Sequence, residues 1–111
     1  MQITKQDGIK NKAGIYKINF SNGMFYIGCT KHFLIRIQQH TWAIKSKFKH
    51  SLQAKCFLQF EGMDLDAHFE ILQEVEIKGV KKFDVKPLLL DIEKLHIIRN
   101  NNDKNLINKL K

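Results

Sequence analysis

The chain has 111 residues, with 19 Lys+Arg against 11 Asp+Glu and a formal net charge of +8. That length suits one domain, and a chain of this size buries roughly two-thirds of the surface it exposes when unfolded, so a core can form without metal or disulfide staples. A 43% hydrophobic fraction argues against disorder and two cysteines are too few for a disulfide framework, while no apolar run approaches the ~20 residues of a helical membrane span; a secreted miniprotein and a helical membrane protein are excluded as classes.

Residues 1–12 are polar and are expected to form a loose lead-in to one domain over 13–111. The segment from Met1 to Asp7 lacks a signal-peptide pattern. An intracellular location, cytoplasmic or nucleoid-associated, is therefore expected. Residues 13–20 alternate, with Tyr16, Ile18 and Phe20 on one side, and read as a strand. Ser21-Asn22-Gly23 is a turn signal, and residues 24–28 form the second strand of a hairpin. A three-residue loop pairs Ile18 with Tyr26 and Tyr16 with Gly28, which puts both tyrosines on one face. A two-residue Asn22-Gly23 loop would separate them. The three-residue loop is favoured because it buries Ile18 and Phe20 consistently.

Thr30 suits the N-cap of a helix over 31–47, with Phe33, Ile37 and Ile44 as its apolar stripe. A second short helix is expected over 51–60, stopped near Gly62. Residues 68–76 carry Phe69, Ile71 and Val75 at strand spacing. Pro87 suits the first turn of a last helix that runs to Asn100 with Leu88, Leu89, Ile92 and Leu95 facing inward. The order β-β-α-α-β-α predicts an α+β fold, a small three-stranded antiparallel sheet flanked by helices.

Charge divides unevenly along the chain. Residues 1–60 hold ten Lys/Arg against one acid, a net +9, and residues 61–111 hold nine against ten, a net −1. That division suggests one cationic face for an extended polyanion, most simply nucleic acid, with a solvated Lys-rich surface as the competing reading. Lys31, Arg36, Lys45, Lys47 and Lys49 are the expected phosphate contacts. Arg36 is one of only two arginines, and its planar fork can hold two phosphate oxygens.

The two tyrosines both lie in glycine-bearing strand segments, Gly14-Ile15-Tyr16 and Tyr26-Ile27-Gly28. Arg36 and His40 are four residues apart and share a helix face, at the half-desolvated rim of the core. Glu93 has Leu89 and Ile97 one turn away on either side. A carboxylate on an apolar face needs a partner, and a hard cation is one. His96 is a further candidate beside it. Cys29, His32, His50 and Cys56 fit no common zinc-finger spacing.

Together these residues resemble the GIY-YIG nuclease superfamily. Both name-giving motifs are intact, Arg36 and His40 fall where that family places its arginine and the residue four after it, and Glu93 looks like its metal-binding glutamate. Asn108, in Leu106-Ile107-Asn108, matches its closing asparagine, with Asn105 as the alternative. The resemblance spans about residues 13–108. It implies a metal-dependent DNA endonuclease in which Tyr16 takes a proton from the attacking water. Tyr26 would position the nucleophile, Arg36 would stabilise phosphate charge, and His40 would polarise a tyrosine. Glu93 would hold one Mg2+ (or Mn2+), and Asn108 would orient the glutamate or a phosphate oxygen. Expected partners are DNA and a protein that supplies specificity. The competing expectation is a nucleic-acid-binding module that keeps the fold without cutting.

Overall fold

The computed structural model describes residues 3–46 and 66–108. The chain is α+β. Strand β1 (Ile3–Lys5) precedes the hairpin of β2 (Gly14–Phe20) and β3 (Phe25–Thr30), which leads into helix α1 (Phe33–Ser46). Strand β4 (Ala67–Glu74) and helix α2 (Lys82–Asn100) follow. The expected helix over 51–60 lies outside the described residues.

The sheet order is β1-β4-β2-β3. β2 pairs antiparallel with both β3 and β4, which is the three-stranded core expected from the sequence. The fourth strand corrects two expectations. β1 lies within the supposed lead-in and pairs parallel with β4, Ile3 opposite Ala67 and Lys5 opposite Phe69. The sheet is therefore mixed and four-stranded. Three residues with one apolar side chain give no alternation to detect, and the partner lies 64 positions away.

The hairpin register is the three-residue one. Tyr16 is opposite Gly28 and Ile18 opposite Tyr26. The Phe20 N–H donates to Met24 O at 2.9 Å and the Gly23 N–H to Phe20 O at 2.9 Å. Gly23 supplies the positive φ, 91°, that closes such a loop.

Both sheet faces are covered. Tyr16, Ile18, Phe20, Ala67 and Phe69 pack with Phe33 and Ile37 of α1 on one face. Ile15, Phe25 and Ile27 pack with Ile97 of α2 and Leu106 on the other. Fully burying one such side chain contributes about 1.5–3 kcal/mol, so these two layers set the stability. Ala13, Val85 and Leu89 form a third cluster beneath α2.

α2 begins a turn earlier than expected. Asp84 occupies its first turn, and Pro87 lies inside it. The proline leaves the Phe83 carbonyl without its usual donor, at a surface where Phe83 is 89% exposed and water can replace it. Leu95, expected inside, is 53% exposed. The helix is oriented by Val85, Leu89 and Ile97, and Leu95 lies roughly 120° from Leu89 around it.

The segment after α2 closes the free edge of β3. The Phe25 N–H donates to Asn105 O at 2.9 Å, and the Ile107 N–H donates to Phe25 O at 2.8 Å. That edge would otherwise be a template for pairing with another chain. Among the described residues no helix is long and apolar enough to cross a membrane.

Candidate active site

Strand alternation, one helix face and the edge position of β3 together build one cleft. Tyr16, Tyr26 and Gly28 point to the α1 side of the sheet, and Cys29 points to the α2 side. Because β3 is the edge strand, side chains from both faces reach the same hollow. The cleft has a volume of about 800 Å³, and Tyr16, Tyr26, Arg36, His40, Glu93 and Asn108 all line it.

Tyr16 and His40 are its buried centre. The Tyr16 hydroxyl lies 3.0 Å from His40 Nε2. His40 was expected at the rim, half desolvated, but it is only 2% exposed. Its ring sits edge-on to Tyr16, with centroids 5.8 Å apart, and packs on Phe69 at 5.7 Å. The second tyrosine is close, with Tyr16 and Tyr26 centroids 6.4 Å apart. Gly28 makes room for this: a Cβ there would collide with the Tyr16 ring and hydroxyl.

Arg36 is half-buried one helical turn before His40. Its Nε is buried and has no hydrogen-bond partner among the described residues. A buried guanidinium donor without an acceptor is costly, and an anionic ligand would satisfy it.

Glu93 reaches the cleft from α2, and Cys29 lies beside it. Burial pushes the Cys29 thiol up to about 12, the Glu93 carboxylate adds to the rise, and Arg36 and Lys86 pull weakly the other way. The thiol therefore stays protonated at neutral pH and is not a ready metal ligand. Among the described residues no three His, Cys, Asp or Glu side chains form a metal cage. A lone carboxylate in an open cleft still suits Mg2+ (or Mn2+). Such an ion keeps several waters and takes its other oxygens from a substrate phosphate. Among the described residues, the donor set of the cleft is thus one carboxylate oxygen group, of the hard kind that Mg2+ takes.

Asn108 lines the cleft and is tied to the edge strand. Its Oδ1 accepts from the Ile27 N–H at 3.1 Å and its Nδ2 donates to Ile27 O at 2.6 Å. Both ends of the amide thus hold β3, and neither orients Glu93. β3 is an edge strand whose outward backbone groups need partners, and Asn108 supplies them. Asn105 contributes its backbone to the same edge and does not line the cleft.

The remaining candidates divide. Lys31 lines the cleft with His32. Lys45 falls on α1, but its side chain lies outside the described residues, as do Lys47, Lys49, His50 and Cys56 entirely. His96 bonds Gln73 Oε1 at 2.8 Å, away from the cleft. Burial, then the Arg99 charge, lowers its pKa. Cys29 and Lys86 carry no motif, although strand alternation after Gly28 and the seven-residue spacing before Glu93 place them. Compared with known proteins, the chain matches no family model, no curated protein and no solved structure.

Proposed function

We propose that the protein is a divalent-metal-dependent endonuclease of the GIY-YIG type that hydrolyses DNA phosphodiester bonds. The observation that carries this reading is the convergence of both tyrosines, Arg36, His40 and Glu93 on one cleft from four separate elements of the fold. A structural role alone explains any one of them, but not a buried Tyr16–His40 pair beside an unpartnered arginine donor and a carboxylate.

In this reading water attacks the scissile phosphorus, a new P–O bond forms, and the ester P–O bond breaks. Tyr16 gives its phenolic proton to His40 Nε2, 3.0 Å from the hydroxyl, and the tyrosinate so formed takes the proton of the attacking water. Tyr26 packs beside Tyr16 and shapes the water's position. Arg36 binds the phosphate oxygens where negative charge grows. Glu93 would hold Mg2+ (or Mn2+), which supplies charge stabilisation at the leaving oxygen when bound. Asn108 acts as a positioning residue, through Ile27, for the strand that carries Tyr26. DNA is the partner, and a protein that adds specificity belongs to the same proposal, as does an intracellular, cytoplasmic or nucleoid-associated location.

The test is incubation with supercoiled, branched and single-stranded DNA, with Mg2+ or Mn2+ and with chelator. Metal-dependent nicking of supercoiled plasmid is expected. Salt-sensitive DNA binding with no cutting under any divalent ion would leave a non-catalytic nucleic-acid-binding module in its place.

A further inference from the structure

The cleft has a cationic group on each of its two walls. Lys31 and Arg36 lie on the α1 side, and Lys86 lies on α2, seven residues before Glu93 and so almost directly above it on the same helix face. Three cations against one carboxylate leave the lining with a surplus of two positive charges. The ion pairs among the described residues are Lys12–Glu74 and Lys17–Glu70, and neither is in the cleft. Lys31, Arg36 and Lys86 therefore form no ion pair among the described residues.

We propose that Lys86 is a second phosphate-binding residue, so that the nucleic-acid backbone runs between α1 and α2 and is held from both sides. This rests on the nuclease reading and deepens it. Lys86 belongs to the half of the chain with net charge −1, so charge distribution along the sequence points away from it. A compact ammonium on an exposed stem suits a phosphate next to the scissile one, while the planar guanidinium of Arg36 holds the reacting phosphate. With Lys86 engaged, the strand crosses the cleft over Glu93 and does not lie along α1 alone.

The experiment is the slope of log affinity against log salt for a short DNA duplex, measured for the wild type, Lys86→Ala, Lys86→Arg and Lys94→Ala. Lys94 is on the same helix outside the cleft lining. Lys86→Ala should reduce the magnitude of the slope by about 0.9 and weaken binding on the order of fivefold near 0.15 M salt. Lys86→Arg should restore both, and Lys94→Ala should change neither. Lys86 is exposed, so these variants should fold as the wild type does. If Lys86→Ala and Lys94→Ala behave alike while the wild type binds with a steep slope, the two-sided grip is wrong and the nuclease reading stands. Unchanged binding with slower cleavage would make Lys86 a neighbour that tunes Glu93, which also overturns phosphate contact. A wild-type slope near zero would remove both proposals together.

Discussion

The Tyr16 hydroxyl and His40 Nε2 are 3.0 Å apart in the interior, joined across 24 residues of chain. Neither group reaches this position by local structure alone. The hairpin register aims Tyr16 at the α1 side, and the helix brings His40 down on it. Removing the hydroxyl in Tyr16→Phe leaves the shape intact and takes a partner from a buried imidazole. The expected stability loss is about 1–3 kcal/mol. Cleavage should fall far more, on the order of 100-fold, since the general base is gone. Chemical denaturation and plasmid nicking on the same preparation separate the two. A variant with wild-type nicking would show that the phenol is only a core residue.

Gly28→Ala tests the same pair from the opposite strand. A Cβ at this position would strike the Tyr16 ring and hydroxyl. The backbone is an ordinary strand, so alanine imposes no strain of its own. The ring must move, and the Tyr16–His40 contact should break while the sheet persists. Expected is retained secondary structure by circular dichroism with a loss of nicking close to that of Tyr16→Phe. If nicking persists, the position of Tyr16 does not govern the chemistry.

The sequence shows some of this geometry and hides the rest for physical reasons. The Tyr16–Gly28 pairing was legible because strand alternation and one turn determine it. His40 was legible as a neighbour of Arg36, about 40° around the helix, but not as a buried group, since burial depends on Phe69 from a distant strand. β1 is invisible in the sequence because Ile3-Thr4-Lys5 has no periodicity and its partner lies 64 positions along the chain. Leu95 faces outward because Val85, Leu89 and Ile97 decide how α2 rolls. Lys86 and Cys29 gain meaning only when the edge position of β3 joins the two faces.

Cys29 offers a test by pH. Its folded value is about 12 against 9.0 for an ordinary cysteine, through burial and then Glu93. A raised value means that the folded form keeps its proton when the unfolded form has lost it. The contribution to stability is complete below pH 9, shrinks as pH rises through 9, and is gone above 12. In a Cys56→Ser background, alkylation of Cys29 by iodoacetamide should be slow at pH 8 and accelerate only well above pH 10. Denaturant should restore ordinary reactivity at pH 8. Glu93→Gln should lower the pH of onset, because it removes a neighbouring charge that opposes ionisation. Rapid alkylation of the folded protein at pH 8 would contradict the shielded thiol.

Arg36→Lys asks whether the guanidinium supplies shape or only charge. Its Nε is buried without an acceptor among the described residues, so the guanidinium keeps a donor that an anion would satisfy. Lysine keeps the charge and loses the parallel pair of donors. Cleavage should drop on the order of 100-fold or more, nearly as far as in Arg36→Ala, as for other groups that stabilise developing charge. The salt dependence of DNA binding should stay close to wild type in Arg36→Lys, because the ammonium still releases a counterion. Near wild-type cleavage in Arg36→Lys would reduce the residue to bulk charge.

Glu93→Ala should separate binding from cutting. Among the described residues that line the cleft, Glu93 is the one carboxylate, and Lys31, Arg36 and Lys86 line it too. Removing it deletes the protein's oxygen donor for the cation, so nicking should collapse. DNA affinity should hold or rise, because a negative charge leaves a cleft that receives phosphate. Folding should survive, since alanine suits a helix interior. Asp91→Ala is the control: Asp91 is exposed and roughly 160° away around α2. Filter retention and plasmid nicking should diverge for Glu93→Ala and stay together for Asp91→Ala. Full nicking in Glu93→Ala, or an equal loss in Asp91→Ala, would mean that the metal is held elsewhere. Weaker binding in Glu93→Ala would mean instead that Glu93 positions the cations around it, and that its carboxylate organises Arg36 and Lys86 before any metal arrives.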